Sequence, residues 1–345
     1  MIALPTIEPL NQAFGEEAQR RLDRKTKPTG SLGELEHLIV RIAAARRTAA
    51  LEPLRAAIVL AAGDHGYAAE RVSAYPAEVT SQMLANIAAG GAAINVLARQ
   101  AGAELVVVDA GAREDLGLTG IRSLRLGAGT ANATQGPAMT LDEAERGLAA
   151  GVEIAGELAA DGVALVALGE LGIANTTAAS AVAAALLPAD AAAVCGRGTG
   201  VDAATLARKV DVVRRALEIN SAHMGDPLAS LAAVGGFELA VVAGLCLGGA
   251  QKRQILLLDG FVTAAAALVA ERLDPRSVDY MIASHRSPEP GHDLILADLV
   301  LRPLFDLGLR LGEGSGAALA IPLVNAALAL MAEMATFEEA GVSDR

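Results

Sequence analysis

Tryptophan is absent from the 345-residue chain, which carries only three tyrosines and five phenylalanines. Platforms on which successive bases could stack are therefore missing, and the core has to be built from Ala, Leu, Val and Ile. Basic character is scarce too: 28 Lys and Arg face 40 Asp and Glu, for a formal charge of −12, and no basic run follows a phosphate backbone. Nucleic acid is not an expected partner. The two cysteines, Cys195 and Cys246, match no CxxC or zinc spacing and read as small buried residues of a reducing compartment, the cytoplasm by default. Residues 1–14 lack a basic stretch leading into an apolar one, so no secretory leader is expected there.

Familiar nucleotide signatures are missing as well. No GxGxxG follows a strand-like run, and no Gly-Lys-Ser/Thr marks a P-loop, which disfavours a simple NAD enzyme or NTPase. The histidines His37, His65, His223, His285 and His292 contain no HExxH pair, and His285 and His292 fall within a Pro-rich loop. Neither metal nor cofactor is expected.

One long apolar run, residues 228–250, has the length of a membrane span. It is interrupted by Gly235-Gly236, Glu238 and Gly248-Gly249, however, and a central buried helix of a large α/β protein explains it better. The chain is long enough for one large domain or two intimate ones. It opens with helices: Ser31 and Glu34 have capping-box spacing ahead of a periodic segment ending near Arg47.

From residue 56 onward a rhythm appears. Apolar runs at 56–61, 104–108, 163–168, 254–258 and 278–283 lead into Gly63-Asp64-His65-Gly66, Asp109-Ala110-Gly111, Gly169-Glu170-Leu171-Gly172, Asp259-Gly260-Phe261 and Ser284-His285-Arg286-Ser287. Short apolar runs separated by stretches of helical period predict a parallel sheet with helices on both faces. Ligands bind such sheets beyond the carboxyl ends of the strands, where these polar clusters fall.

Three segments carry candidate chemistry. Gly169 to Thr177 passes from strand to helix, with Asn175 and Thr176 available as caps and free N–H groups able to hold an anion. Gly196 to Asp202 is a second glycine loop, with Arg197 and, a little further on, Lys209; either could meet a phosphate or be a solvated charge. The third is Leu309-Arg310-Leu311-Gly312-Glu313-Gly314-Ser315-Gly316, a lone acid among glycines before an apolar helix. Glu313 there is either a general base or a helix-capping acid.

These segments, together with Lys27-Pro28-Thr29-Gly30-Ser31-Leu32-Gly33 and Ala62-Gly63-Asp64-His65-Gly66, occur in an order that resembles the nicotinate-nucleotide:dimethylbenzimidazole phosphoribosyltransferases across nearly the whole chain. The resemblance implies a Rossmann-like sheet of about six strands spanning residues 51–310. It also implies a small helical domain assembled from residues 1–50 and 311–345, and a homodimer. The expected substrates are nicotinate mononucleotide and dimethylbenzimidazole, without nucleic acid or membrane. Glu313 matches the family's general base, and Tyr75, Met83, Leu171 and Leu311 match positions around the benzimidazole, with Glu170 beside them. Gly172, Lys209 and Ser287 match positions near the phosphate, and Asp259-Gly260 lies near nicotinate and ribose. Polar side chains are familiar in this family where Tyr75 and Met83 stand, and Met is common where Leu171 stands, so the acceptor base is less fixed than the reaction. A nucleoside-type transferase or hydrolase on the same sheet, and a non-catalytic nucleotide or azole binder, are the alternatives.

Overall fold

A computed structural model describes residues 4–187 and 189–343. The ends of the expected terminal segments, residues 1–3 and 344–345, lie outside the described residues. Six strands form one parallel sheet: β1 (Ala56–Gly63), β2 (Glu104–Gly111), β3 (Ile121–Ser123), β4 (Leu165–Leu171), β5 (Ile255–Leu258) and β6 (Met281–Ala283). Their spatial order is β3-β2-β1-β4-β5-β6. Every residue of β1, β5 and β6 is buried, which is why these strands read as unbroken apolar runs rather than as alternation. Strand order reverses between β1 and β4, and the pairing there sets Leu60 against Gly169 and Ala61 against Glu170. That reversal opens a crevice at the strand ends.

The apolar runs reveal five of the six strands. β3 has only three residues, none of them buried, and hangs on the edge beside β2, so it leaves no apolar run. β4 extends through Glu170 and Leu171, which the sequence places in the following turn. β6 starts later than its apolar run, because Pro275–Tyr280 is a 3-10 helix that Asp274 caps by accepting from the Arg276 N–H at 3.0 Å.

The apolar stretch 228–250 is two helices, Pro227–Val234 and Phe237–Gln251, broken at Gly235-Gly236; everything from Phe237 to Ala250 is buried. Among the described residues one helix, Ser315–Glu333, is long and apolar enough to cross a bilayer. It packs on β4 and β5, burying Ala317, Ile321, Val324 and Leu328. The expected capping box at Ser31 does not form. The helix Glu34–Arg46 starts after Gly33 without a side-chain cap, and Glu36 instead accepts from the Leu32 N–H at 3.1 Å and from Lys27 Nζ at 2.7 Å. The chain ends meet: Lys25 bridges to Thr336, and the Thr26 N–H donates to the Ala335 carbonyl at 3.0 Å. Both cysteines are buried and unpaired.

Candidate active site

A cleft of about 730 Å³ opens beyond the carboxyl ends of β4, β5 and β6, on one side of the switch point. It gathers every expected site residue except Lys209. Of the five polar clusters, those following β4, β5 and β6 line it, whereas the other two brace loops. Asp64 accepts from the Arg113 N–H at 2.9 Å, and Asp109 accepts from the Ala112 N–H at 2.7 Å. A second cavity, about 640 Å³ between Arg21, Lys25, Met331 and Thr336, contains no expected site residue.

Glu313 enters the cleft from an unusual backbone. Gly312, Glu313 and Gly314 all lie in the left-handed region, at φ of 81°, 59° and 76°. For a glutamate that conformation costs on the order of 1 kcal/mol or more, so it persists only where the surroundings enforce it. Two features do so. The Glu313 N–H donates to the Glu170 carbonyl at 3.2 Å, and the loop presses so closely on β4 that a Cβ at Gly169 would stand 2.8 Å from the Gly314 nitrogen. The second is Asp259, at the end of β5. Its carboxylate accepts from the Gly314, Gly316 and Ala317 N–H groups at 3.2, 2.7 and 3.0 Å. Asp259 thus occupies the capping role at the helix Ser315–Glu333, through three of the donors that every helix start leaves unpaired. Glu313 is therefore not the cap. Its side chain is buried, and Oε2 has no hydrogen-bond partner.

The two cleft glutamates differ electrostatically. Burial, and then the charges of Asp259, Glu238 and Glu313, push Glu170 well above the ordinary carboxylate range, while the Asn175 amide, which donates to Glu170 Oε2, opposes the shift. Burial and the Asp259 charge raise Glu313 as well. Asp259 is itself raised by burial, against His285 and its three N–H donors. Three neighbouring carboxylates, Glu313 among them, push Glu170 up, against Asp259 alone for Glu313, so of the pair Glu170 is the one that keeps its proton. A stability consequence follows with a definite sign. Because the folded state raises its pKa, Glu170 contributes most below the unfolded value of 4.5, and that contribution is lost as pH rises through the folded value. Glu170→Gln is expected to lose less melting temperature than the parent between mildly acidic and alkaline pH; parallel melting curves would show that Glu170 ionises freely.

The other end of the cleft is built on the loops around Lys209, Gly198 and Ser287. Lys209 is 1% exposed, which removes the solvated-charge reading. Its Nζ sits behind the cleft wall, donating to Thr176 Oγ1 at 2.9 Å and to the Gly196 carbonyl at 3.1 Å; burial lowers its pKa while Glu289 works the other way. Thr176 and Asn175 do not cap the helix Asn175–Leu186, whose N-cap is Ala174; their side chains are turned instead toward Lys209 and Glu170 respectively. Arg197 folds back onto its own loop, donating to the Val201 carbonyl at 2.9 Å. The Ser287 N–H donates to Nδ1 of His292, which burial pushes down to about 4 and so keeps neutral. His292 belongs to the helix Pro290–Asp298 rather than to a loop.

Between these ends the walls are apolar. Leu171 and Met83 are half-buried, whereas Tyr75 and Leu311 stand 54% exposed at the mouth, and Gly172 and Gly260 leave room at the floor. Residue patterns did not single out His285, Glu289 or Arg310, which also line the cleft. Among the described residues, no group of three or more His, Cys, Asp or Glu is disposed to hold a metal.

Fold and site together define an α/β protein of the Rossmann type whose switch-point crevice joins a buried lysine behind its wall, an apolar slot and a buried acid pair. A family profile described as "Phosphoribosyltransferase" matches residues 7–342, and the chain belongs to that family. It is 52% identical to the nicotinate-nucleotide–dimethylbenzimidazole phosphoribosyltransferase of Azotobacter vinelandii, covering 99% of this chain and 97% of the relative. It is 49% identical to the enzyme of the same name from Chloroflexus aggregans, covering 98% and 96%. The crystal structure of CobT from Thermus thermophilus superposes with a TM-score of 0.93 at 48% identity, covering 96% of this chain and all of that one.

Proposed function

We propose that this chain transfers the phosphoribosyl group of nicotinate mononucleotide to 5,6-dimethylbenzimidazole, giving α-ribazole 5′-phosphate and nicotinate. The observation that carries this reading is the buried, unpartnered Oε2 of Glu313 beside an apolar slot, with its neighbour Glu170 holding the competing proton. The bond between C1′ and the pyridinium nitrogen breaks, and its electron pair leaves on a ring that becomes neutral. One benzimidazole nitrogen forms the new bond to C1′ from the opposite face, through an oxocarbenium-like transition state. The proton on the other nitrogen passes to Glu313. General-base help of this kind contributes about 10²–10⁴ in rate, and holding both substrates in one cleft contributes more.

In this reading Tyr75, Met83, Leu171 and Leu311 enclose the base with Glu170 beside it. Gly172, Lys209 and Ser287 serve the phosphate, and Asp259 and Gly260 the ribose and nicotinate side. A cytoplasmic homodimer is part of the same proposal. The test is to incubate the protein with nicotinate mononucleotide and dimethylbenzimidazole and identify products by mass and by the anomeric proton. Nicotinate released without a ribosylated base would mark a hydrolase, and base binding without turnover a binder. Because the leaving group is already cationic, turnover is expected to survive exhaustive chelation; a loss that magnesium restores would contradict this mechanism.

A further inference from the structure

The cleft is unusually acidic for a site that receives a phosphate. Glu170, Asp259, Glu289 and Glu313 all line it, and the Gly198 N–H is already taken by Glu289 Oε1 at 2.8 Å. Lys209 is confined behind the wall with two of its three ammonium protons engaged, so it has at most one hydrogen bond left to offer. A dianion entering such a place needs a further cation. Among the described residues that line the cleft, Arg310 is the only lysine or arginine.

Arg310 is also poised on the correct side. Its guanidinium reaches across the mouth to the loop that carries Gly198, where Nη1 approaches the Thr199 carbonyl at 3.4 Å. Gly200 in that loop has a φ of 109°, and a Cβ there would stand 3.1 Å from Nη1, so the glycine leaves room for the guanidinium. The Thr199 contact is long and poorly compensating, and no carboxylate lies within ion-pair distance of Arg310 among the described residues. A planar fork with most of its donors unspent suits a phosphate monoester. On the same wall, Gly198 lies against Thr176, the partner of Lys209, so Arg310 and Lys209 flank one space.

We propose that Arg310 is a substrate-binding residue that grips the 5′-phosphate of the mononucleotide from the cleft mouth, opposite Lys209. Arg310 and Glu313 share one short loop, so seating the phosphate also fixes the segment that carries the base. Binding energy from a remote group is thereby spent on placing the reacting one. This rests on the phosphoribosyl-transfer reading above.

The experiment compares nicotinate mononucleotide with nicotinic acid riboside, the same molecule without phosphate, in the parent, Arg310→Gln and Arg310→Lys. Arg310→Gln is expected to raise KM for the mononucleotide roughly ten-fold or more, as loss of a charge-assisted hydrogen bond does, and to leave the riboside and the aromatic base unaffected. Arg310→Lys should recover part of the loss. Equal impairment with both nucleosidic substrates would make Arg310 a loop brace and overturn the proposal, as would a parent-like KM for the mononucleotide. Calorimetric titration of ribose 5-phosphate onto parent and Arg310→Gln reads the contact without turnover: weaker binding by the variant supports it, equal binding refutes it. A parent protein that binds ribose 5-phosphate yet makes no product would count against the reaction and not against Arg310.

Discussion

Glu313→Gln is expected to fold, bind both substrates with near-parent KM, and lose about 10²–10⁴ in kcat, the range that a positioned general base supplies. Glutamine preserves the size and most of the hydrogen bonding of the side chain but cannot accept the azole proton. Stability should hardly change, because Asp259 and not Glu313 satisfies the N–H groups at the start of the helix Ser315–Glu333. This separates the two readings the bare sequence allowed. A helix cap would cost on the order of 1 kcal/mol of stability on substitution and leave turnover alone; a base loses turnover and keeps its stability. Steady-state kinetics and a thermal melt on the same preparation decide between them.

The second large effect is expected at Lys209. Lys209→Ala should raise KM for nicotinate mononucleotide about ten-fold or more and leave KM for the aromatic base unchanged. Its burial adds a cost that a surface lysine would not carry. Thr176 Oγ1 and the Gly196 carbonyl lose their donor inside the wall, so the melting temperature should fall as well. Lys209→Met keeps much of the stem volume and removes only the charged end, which isolates the phosphate contribution if the alanine variant is too unstable to assay. A parent-like KM in the methionine variant would reduce Lys209 to a structural buttress.

How much of this was legible beforehand depended on whether an interaction is local. Parallel strands covered on both faces announce themselves as apolar runs, so β1, β2, β4, β5 and β6 were readable, and three-residue β3 was not. The glycines around Glu313 signalled close backbone approach, and that approach is to Gly169 on β4. What the residues could not reveal was partnership at a distance. Ser31, Asn175 and Thr176 all have good local capping chemistry, yet none caps the helix it precedes or begins. Gly33 and Ala174 take the N-cap positions without side-chain bonds, and the side chains of Asn175 and Thr176 go to Glu170 and Lys209. Asp259 caps a helix that begins far along the chain, a contact that only the sheet brings about. Arg197 was readable as a possible cleft cation and Arg310 was not; the fold turns the first back on its own loop and leaves the second at the mouth. The ordered motifs, by contrast, identified the family across nearly the full length, which the profile match over residues 7–342 bears out.

The division of labour between the two glutamates is tested most directly by the pH dependence of kcat in the parent, Glu313→Gln and Glu170→Gln. Burial and Asp259 raise Glu313, so the parent should gain activity with rising pH along an acid limb placed above the ordinary glutamate pKa of about 4.3. Glu170 keeps its proton through this range, so Glu170→Gln should retain that limb in nearly the same position. Glu313→Gln should lose it, leaving a low rate that is flat across the acid range. An unchanged limb in Glu313→Gln, or its disappearance in Glu170→Gln, would contradict the account and assign the proton to the other carboxylate.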